Sequence, residues 1–188
     1  QERPLPEQSA AELAAHEARL RRCERVRRAY TRSFADAPDV LSAACGNEAE
    51  LSAFLTTPEF DDVQKAELLS TLRPKDLLDA SCEMLRDCLA AAIPYRGHFD
   101  EEIYRRDILC PRISDEMLVP QRSAIRAMFP QGFVSGREIL DALRERLTLK
   151  PEYGMRNFFA TAVGSLRCGM TSPRSFGVVF ATVCRCFG

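Results

Sequence analysis

Apolar residues recur every three or four positions along most of this chain, the period of a helix that buries one face. Leu13, His16, Leu20, Cys23, Arg27, Tyr30 and Phe34 trace the first such stripe. Ser9-Ala-Ala-Glu12 stands just before it. That is a capping-box pattern, in which the serine side chain takes the Glu12 amide and the glutamate reaches back. The spacing predicts one helix from residue 9 to about residue 34.

Further helices follow from the same two signals, a start residue and a stripe. Thr57-Pro58-Glu59 fits an N-cap with proline at the first helical position, ahead of Phe60, Val63, Leu68 and Leu69. Pro74 opens another helix, with Leu78, Cys82, Leu85 and Leu89 on one side. Ser135-Gly-Arg-Glu138 is a second capping box, followed by Ile139, Leu140, Leu143 and Leu147. Pro151 starts the next helix and Gly169 ends it, and Thr171-Ser172-Pro173 starts the last, which aligns Phe176, Val179, Phe180, Val183 and Phe187. No segment sustains the alternation of a strand. Proline and glycine fall at the junctions, so the connections are short. The fold class expected is all-α, built from consecutive antiparallel helix pairs as an irregular bundle or a short α-solenoid. Two units are expected: residues 1–35 as a basic amphipathic arm, and 36–188 as a helical domain.

Two stretches carry the pairing most clearly. "VQKAELLSTL" precedes "PKDLLDASCEMLRDCL", and "MRNFFATAVGSLRCG" precedes "SPRSFGVVFATVCRCF". In the second pair, Ala160 and Gly164 lie four apart and would let a neighbouring helix approach. This pair resembles an αα-hairpin repeat of the pentatricopeptide or octatricopeptide kind, over about 35 residues. The resemblance implies a helical-repeat protein that binds RNA. No clean period extends over the whole chain.

Charge changes the picture. The net charge of −1 conceals a division. Residues 1–35 carry 8 basic and 5 acidic groups, 36–102 carry 5 and 15, and 103–188 carry 13 and 7. "LRRCERVRRAYTR" alone holds six of the 23 arginines. On a helix, Arg21, Arg25, Arg28 and Arg32 form a basic stripe, set apart from the packing side of Leu13, Leu20, Tyr30 and Phe34. These eight residues are the candidate partner-binding set. An acidic segment of the same chain, an acidic protein surface, or phosphates would each fit the stripe. A slightly acidic protein whose stripe carries no stacking aromatic opposes nucleic acid. Membrane adsorption is opposed by the scarcity of large apolar side chains on this helix.

Candidate chemistry is sparse. Eight cysteines (23, 45, 82, 88, 110, 168, 184 and 186) would make four disulfides in an oxidising compartment. Most fall on apolar faces of expected helices and there is no Cys-x-x-Cys, which favours buried reduced thiols. A zinc site from Cys110, Cys168, Cys184 and Cys186 has the wrong spacing. His16 lies on the apolar stripe. His98 sits near Asp100, Glu101 and Glu102, better read as an N-cap with first-turn carboxylates than as a metal or acid–base site. Glu59, Asp61 and Asp62 read the same way and lack the spacing of a calcium loop. There is no phosphate-binding glycine loop, serine elbow or Cys–His dyad. No catalytic, cofactor or metal residue is therefore nominated, and no apolar run reaches the roughly 18 residues of a membrane span.

The expected role is a non-catalytic interaction or scaffold subunit of a larger protein assembly, docking through helical surfaces. An RNA-binding helical-repeat protein and a secreted, disulfide-stapled helical protein are the alternatives. A first residue that is not methionine is taken as a sign of a removed transit peptide, with an organellar (mitochondrial) or other intracellular setting favoured over secretion.

Overall fold

The computed structural model describes residues 9–31, 40–151 and 159–188; the side chains of 23–31 and of Ser42 lie outside that description. The described chain is all-α apart from one two-residue ladder. Helix α1 spans Ala10–Thr31. Its start is as the sequence implies. The Glu12 amide donates to Ser9 Oγ at 3.3 Å, and the Ser9 amide donates back to Glu12 Oε2 at 2.8 Å.

Five helices follow: α2 (Val40–Ala43), α3 (Glu48–Leu55), α4 (Asp62–Ser70), α5 (Pro74–Asp79) and α6 (Cys82–Ala92). Two expectations are corrected here. The start at Thr57-Pro58 does not exist; α4 begins four residues later, at an Asp61–Gln64 capping box. Thr57 instead donates its hydroxyl to Phe54 O, closing α3. The intervening turn is held from below by Lys65, which is 4% exposed. Its ammonium donates to Leu55 O at 2.7 Å and to Thr57 O at 3.3 Å. The helix that opens at Pro74 also breaks, at Ala80, where the backbone turns extended and Ser81 caps α6 by accepting from the Met84 amide. Asn47 pins this break: its side-chain amide donates to Leu77 O and Ala80 O, each at 2.8 Å.

After α6 a 3-10 turn (Ile93–Tyr95) leads to α7 (Glu101–Ile103), which continues as a π-helical turn, Tyr104–Leu109. An irregular segment with Pro111 and Pro120 then reaches α8 (Arg122–Met128) and α9 (Gly136–Arg146). Ser135 caps α9 as expected, though Glu138 reaches back to the Val134 amide rather than to Ser135. The last helices are α10 (Ala162–Cys168) and α11 (Pro173–Phe187). Gly169 ends α10 in the left-handed region, φ 67°, and Ser172 caps α11 with Pro173 at its first turn. β1 (Thr148–Leu149) and β2 (Met170–Thr171) pair in parallel, two residues each, too short to show any alternation in sequence. The helix expected from Pro151 to Gly169 is corrected where it is described: residues 159–161 are not helical and α10 starts only at Ala162, behind its Thr161 cap, while 152–158 lie outside the description. Ala160 precedes α10, so it shares no helical face with Gly164. A Cβ at Gly164 would meet Thr161 Oγ1 at 2.8 Å; the glycine makes room for the N-cap, not for a neighbouring helix.

The buried apolar residues form two clusters. One is centred on Leu51, Phe54, Leu68, Leu77, Leu85 and Leu109. The other is centred on Ile125, Leu143, Leu166, Val179 and Val183. Of the expected α11 stripe, Val179 and Val183 are fully buried, while Phe176, Phe180 and Phe187 are half-buried at the rim of the second cluster. Among the described residues, no helix is long and apolar enough to cross a membrane.

Candidate interaction surfaces

Every described side chain of α1, from Ala10 to Arg22, is exposed. Leu13 and Leu20 are 49% and 53% exposed and stand one heptad apart on a single face. Between them the helix is laced by its own charges. Arg21 meets Glu17 at 3.1 Å, and Arg19 lies 3.3 Å from His16 Nδ1. The Ser9 amide holds the Glu12 carboxyl below its ordinary value. The helix lies against α5. Of the eight candidate residues, the structure thus places Leu13, Leu20 and Arg21 on an open surface. Arg25, Arg28 and Tyr30 lie on α1 with side chains outside the description, and Arg32 and Phe34 lie outside the described residues altogether.

A second surface is an open cleft of about 590 Å³ where the C-terminal end of α4 faces α7 and the π-helical turn. Ser70, Thr71, Glu101, Glu102, Arg105, Arg106 and Cys110 line it. Arg105 donates to Ser70 Oγ at 2.7 Å. Arg106 is spent on Asp107, which it holds below the ordinary carboxylate range. The Cys110 thiol donates to the carbonyls of Thr71 and Arg112, at 3.7 and 3.5 Å. His98 is exposed and edge-on to Tyr95, and Asp100 occupies the N-cap position of α7 without a side-chain cap bond. The cleft brings two carboxylates and two guanidiniums together without a nucleophile–base pair in contact.

The most heavily built polar region was not legible in the sequence. Asp76, fully buried, caps α5 and binds Arg112, which is 3% exposed. Arg112 also donates to Glu116 O, and its other terminal nitrogen lies 3.5 Å from Asp79 in an ionic contact without hydrogen-bond geometry. Glu116, 2% exposed, accepts from the Ile113 and Ser114 amides, each at 2.7 Å. Together these clasp the irregular segment onto α5.

Beside the clasp, three more arginines end on main-chain carbonyls. Arg122 donates to Ile108 O at 2.7 Å and Cys110 O at 3.2 Å. Arg126 donates to Ala91 O and Cys186 O. Arg185 donates to Cys110 O at 2.6 Å and Arg112 O at 3.0 Å, and burial lowers its proton affinity. Asp87 accepts from the amides of Gln121, Arg122 and Ser123 at the start of α8. The available signal was the four-residue spacing of Arg122 and Arg126 around buried Ile125, which placed both near an apolar face.

The described cysteines are free thiols. Cys88 and Cys186 are buried, and burial pushes Cys186 up to about 12. Cys45 and Cys168 are exposed, contrary to the expectation of buried positions: Cys45 sits in the turn before α3 at φ 49°, and Cys168 ends α10. Among the described residues, no group of three or more His, Cys, Asp or Glu is placed to hold a metal ion. No protein-family model matches the chain, and neither a curated protein nor a solved structure does.

Proposed function

We propose that this chain is a non-catalytic interaction subunit of a larger protein assembly, and that α1 is its docking arm. The observation that carries the reading is the exposure of α1 from Ala10 to Arg22, with Leu13 and Leu20 uncovered on one face. An isolated helix is marginal in water even at about 12–15 residues, and most helical stability in proteins comes from packing an apolar face. Here the cap and the Glu17–Arg21 pair are in place, and no side chain among the described residues covers that stretch. The arm's charges, with Arg19, Arg21 and Arg22 against Glu12 and Glu17, fit a protein surface that offers a shallow apolar strip edged with carboxylates.

Reversal of Arg21, Arg25 and Arg28 to Glu tests this. The variant should leave its native assembly on size-exclusion chromatography, keep its far-UV spectrum, and show that the wild-type contact weakens with salt, because exposed charges are screened over about 8 Å at physiological ionic strength. Sub-micromolar RNA binding that the variant loses would make the stripe a phosphate contact. Global unfolding would make it an internal clamp on the acidic middle of the chain.

A further inference from the structure

The two apolar clusters meet along a seam that many polar contacts cross. The first ends at Leu109, with Leu118 packed on its edge; the second begins with Val119 and Ile125. What crosses between them is the guanidinium of Arg122 on the carbonyls of Ile108 and Cys110, that of Arg126 on Ala91 O, and that of Arg185 on the carbonyls of Cys110 and Arg112. The Tyr95 hydroxyl adds a bond to Cys186 O, and the Asp87 carboxylate adds three to the amides that open α8.

We infer that this seam is a latch between two separately cored helical units, 40–118 and 119–188, and that it opens while both cores stay folded. Four features support it. Charge-assisted bonds to fixed carbonyls are directional and fail together when the geometry shifts, whereas apolar burial is non-directional. The segment joining the units, 110–120, has no helix and is clasped to the first unit by Arg112 on Asp76, which confines the hinge to its last residues. The seam also contains a cavity of about 10 Å³, the size of a single water, lined by Asp87, Arg122, Thr182 and Arg185 together with Met84 and Val119. Burial of the Arg185 guanidinium, which disfavours its charge, opposes closure and is relieved on opening.

Native-state hydrogen exchange of the full chain, in urea below the unfolding transition, tests the latch in Arg122→Gln and in the milder Asp87→Asn. Amides 121–123 should exchange roughly tenfold faster in each variant, the effect of losing one or two charge-assisted bonds. Peptides carrying Leu51–Phe54 and Val179–Val183 should keep their wild-type rates. X-ray scattering of Arg185→Glu should show an expanded particle with unchanged helical content. Equal acceleration of the core peptides would overturn the proposal, because it would make the chain one cooperative unit. Loss of the helical far-UV signal in Asp87→Asn would overturn it too, because the units could not then stand without the seam.

Discussion

Helix α1, the proposed arm, and the helices of the body form for different reasons. In α1 the described side chains lie in solvent, and the helix is written by local chemistry: the Ser9–Glu12 box, alanines, and a Glu17–Arg21 pair one turn apart. In residues 40–109 the helices are short, several under two turns, and none would persist alone. They exist because Phe54, Leu68, Leu77, Leu85 and Leu109 close over one another and because buried polar groups fix the breaks. Damage to the body should therefore cost stability, and damage to the arm should cost association.

The largest expected effects come from the body. Phe54→Ala should lower stability by about 3–5 kcal/mol, the range for emptying a buried aromatic site. Asp76→Ala should cost a similar amount, about 3–5 kcal/mol, because it removes the buried carboxylate from the Arg112 guanidinium and leaves only the half-exposed Asp79, 3.5 Å away. Urea unfolding followed by far-UV dichroism measures both. A loss under about 1 kcal/mol for Asp76→Ala would show that water reaches the clasp and that the apolar cluster alone holds α5 in place.

A smaller effect sharpens the contrast within the body. A thiol reagent at pH 8 should label Cys45 and Cys168 rapidly in the native protein and leave Cys88 and Cys186 unmodified, since burial raises both buried thiols and the thiolate is the reactive form. The direction follows from the shift: a folded pKa raised above the unfolded value keeps the native thiol protonated, so protection should persist until unfolding. Denatured protein should then label at all eight positions without reductant. Failure to label any would establish disulfides and move the protein to an oxidising compartment.

The smallest effect belongs to the arm. Ser9→Ala should fray the start of α1 and reduce helical content slightly, while the urea midpoint of the body stays where it was. A shifted midpoint would show that the two regions fold together.

What could be read from sequence divides along the same line. Local chemistry was legible: the Ser9 box, the Ser135 and Ser172 caps, Pro173 and the left-handed Gly169 all stand where residue type and spacing put them. The all-α class followed from those starts and the apolar stripes between them. Tertiary decisions were not legible. Thr57-Pro58 has the form of a helix start, yet a buried lysine ten residues from its acceptor Leu55 holds that stretch as a turn. The stripe from Leu78 to Leu89 runs unbroken in sequence across a break that Asn47 enforces from the N-cap position of α3. Gly164 looked like a helix-contact glycine and serves a cap. The buried arginines were hidden because a guanidinium's burial depends on carbonyls that only the fold supplies. At the candidate arm, the sequence placed Leu13, Leu20 and Arg21 on one helix but could not say that no part of the described chain would cover them.

That last point is also the most direct test of the docking claim. Hydrogen exchange of amides 10–22 should be compared between the isolated chain and the chain in its native assembly. Protection of this stretch should rise on assembly by at least about tenfold, with the peptides of Leu51–Phe54 unchanged. Equal exchange of 10–22 in both states would contradict the account, because the arm would then be bare in the complex as well.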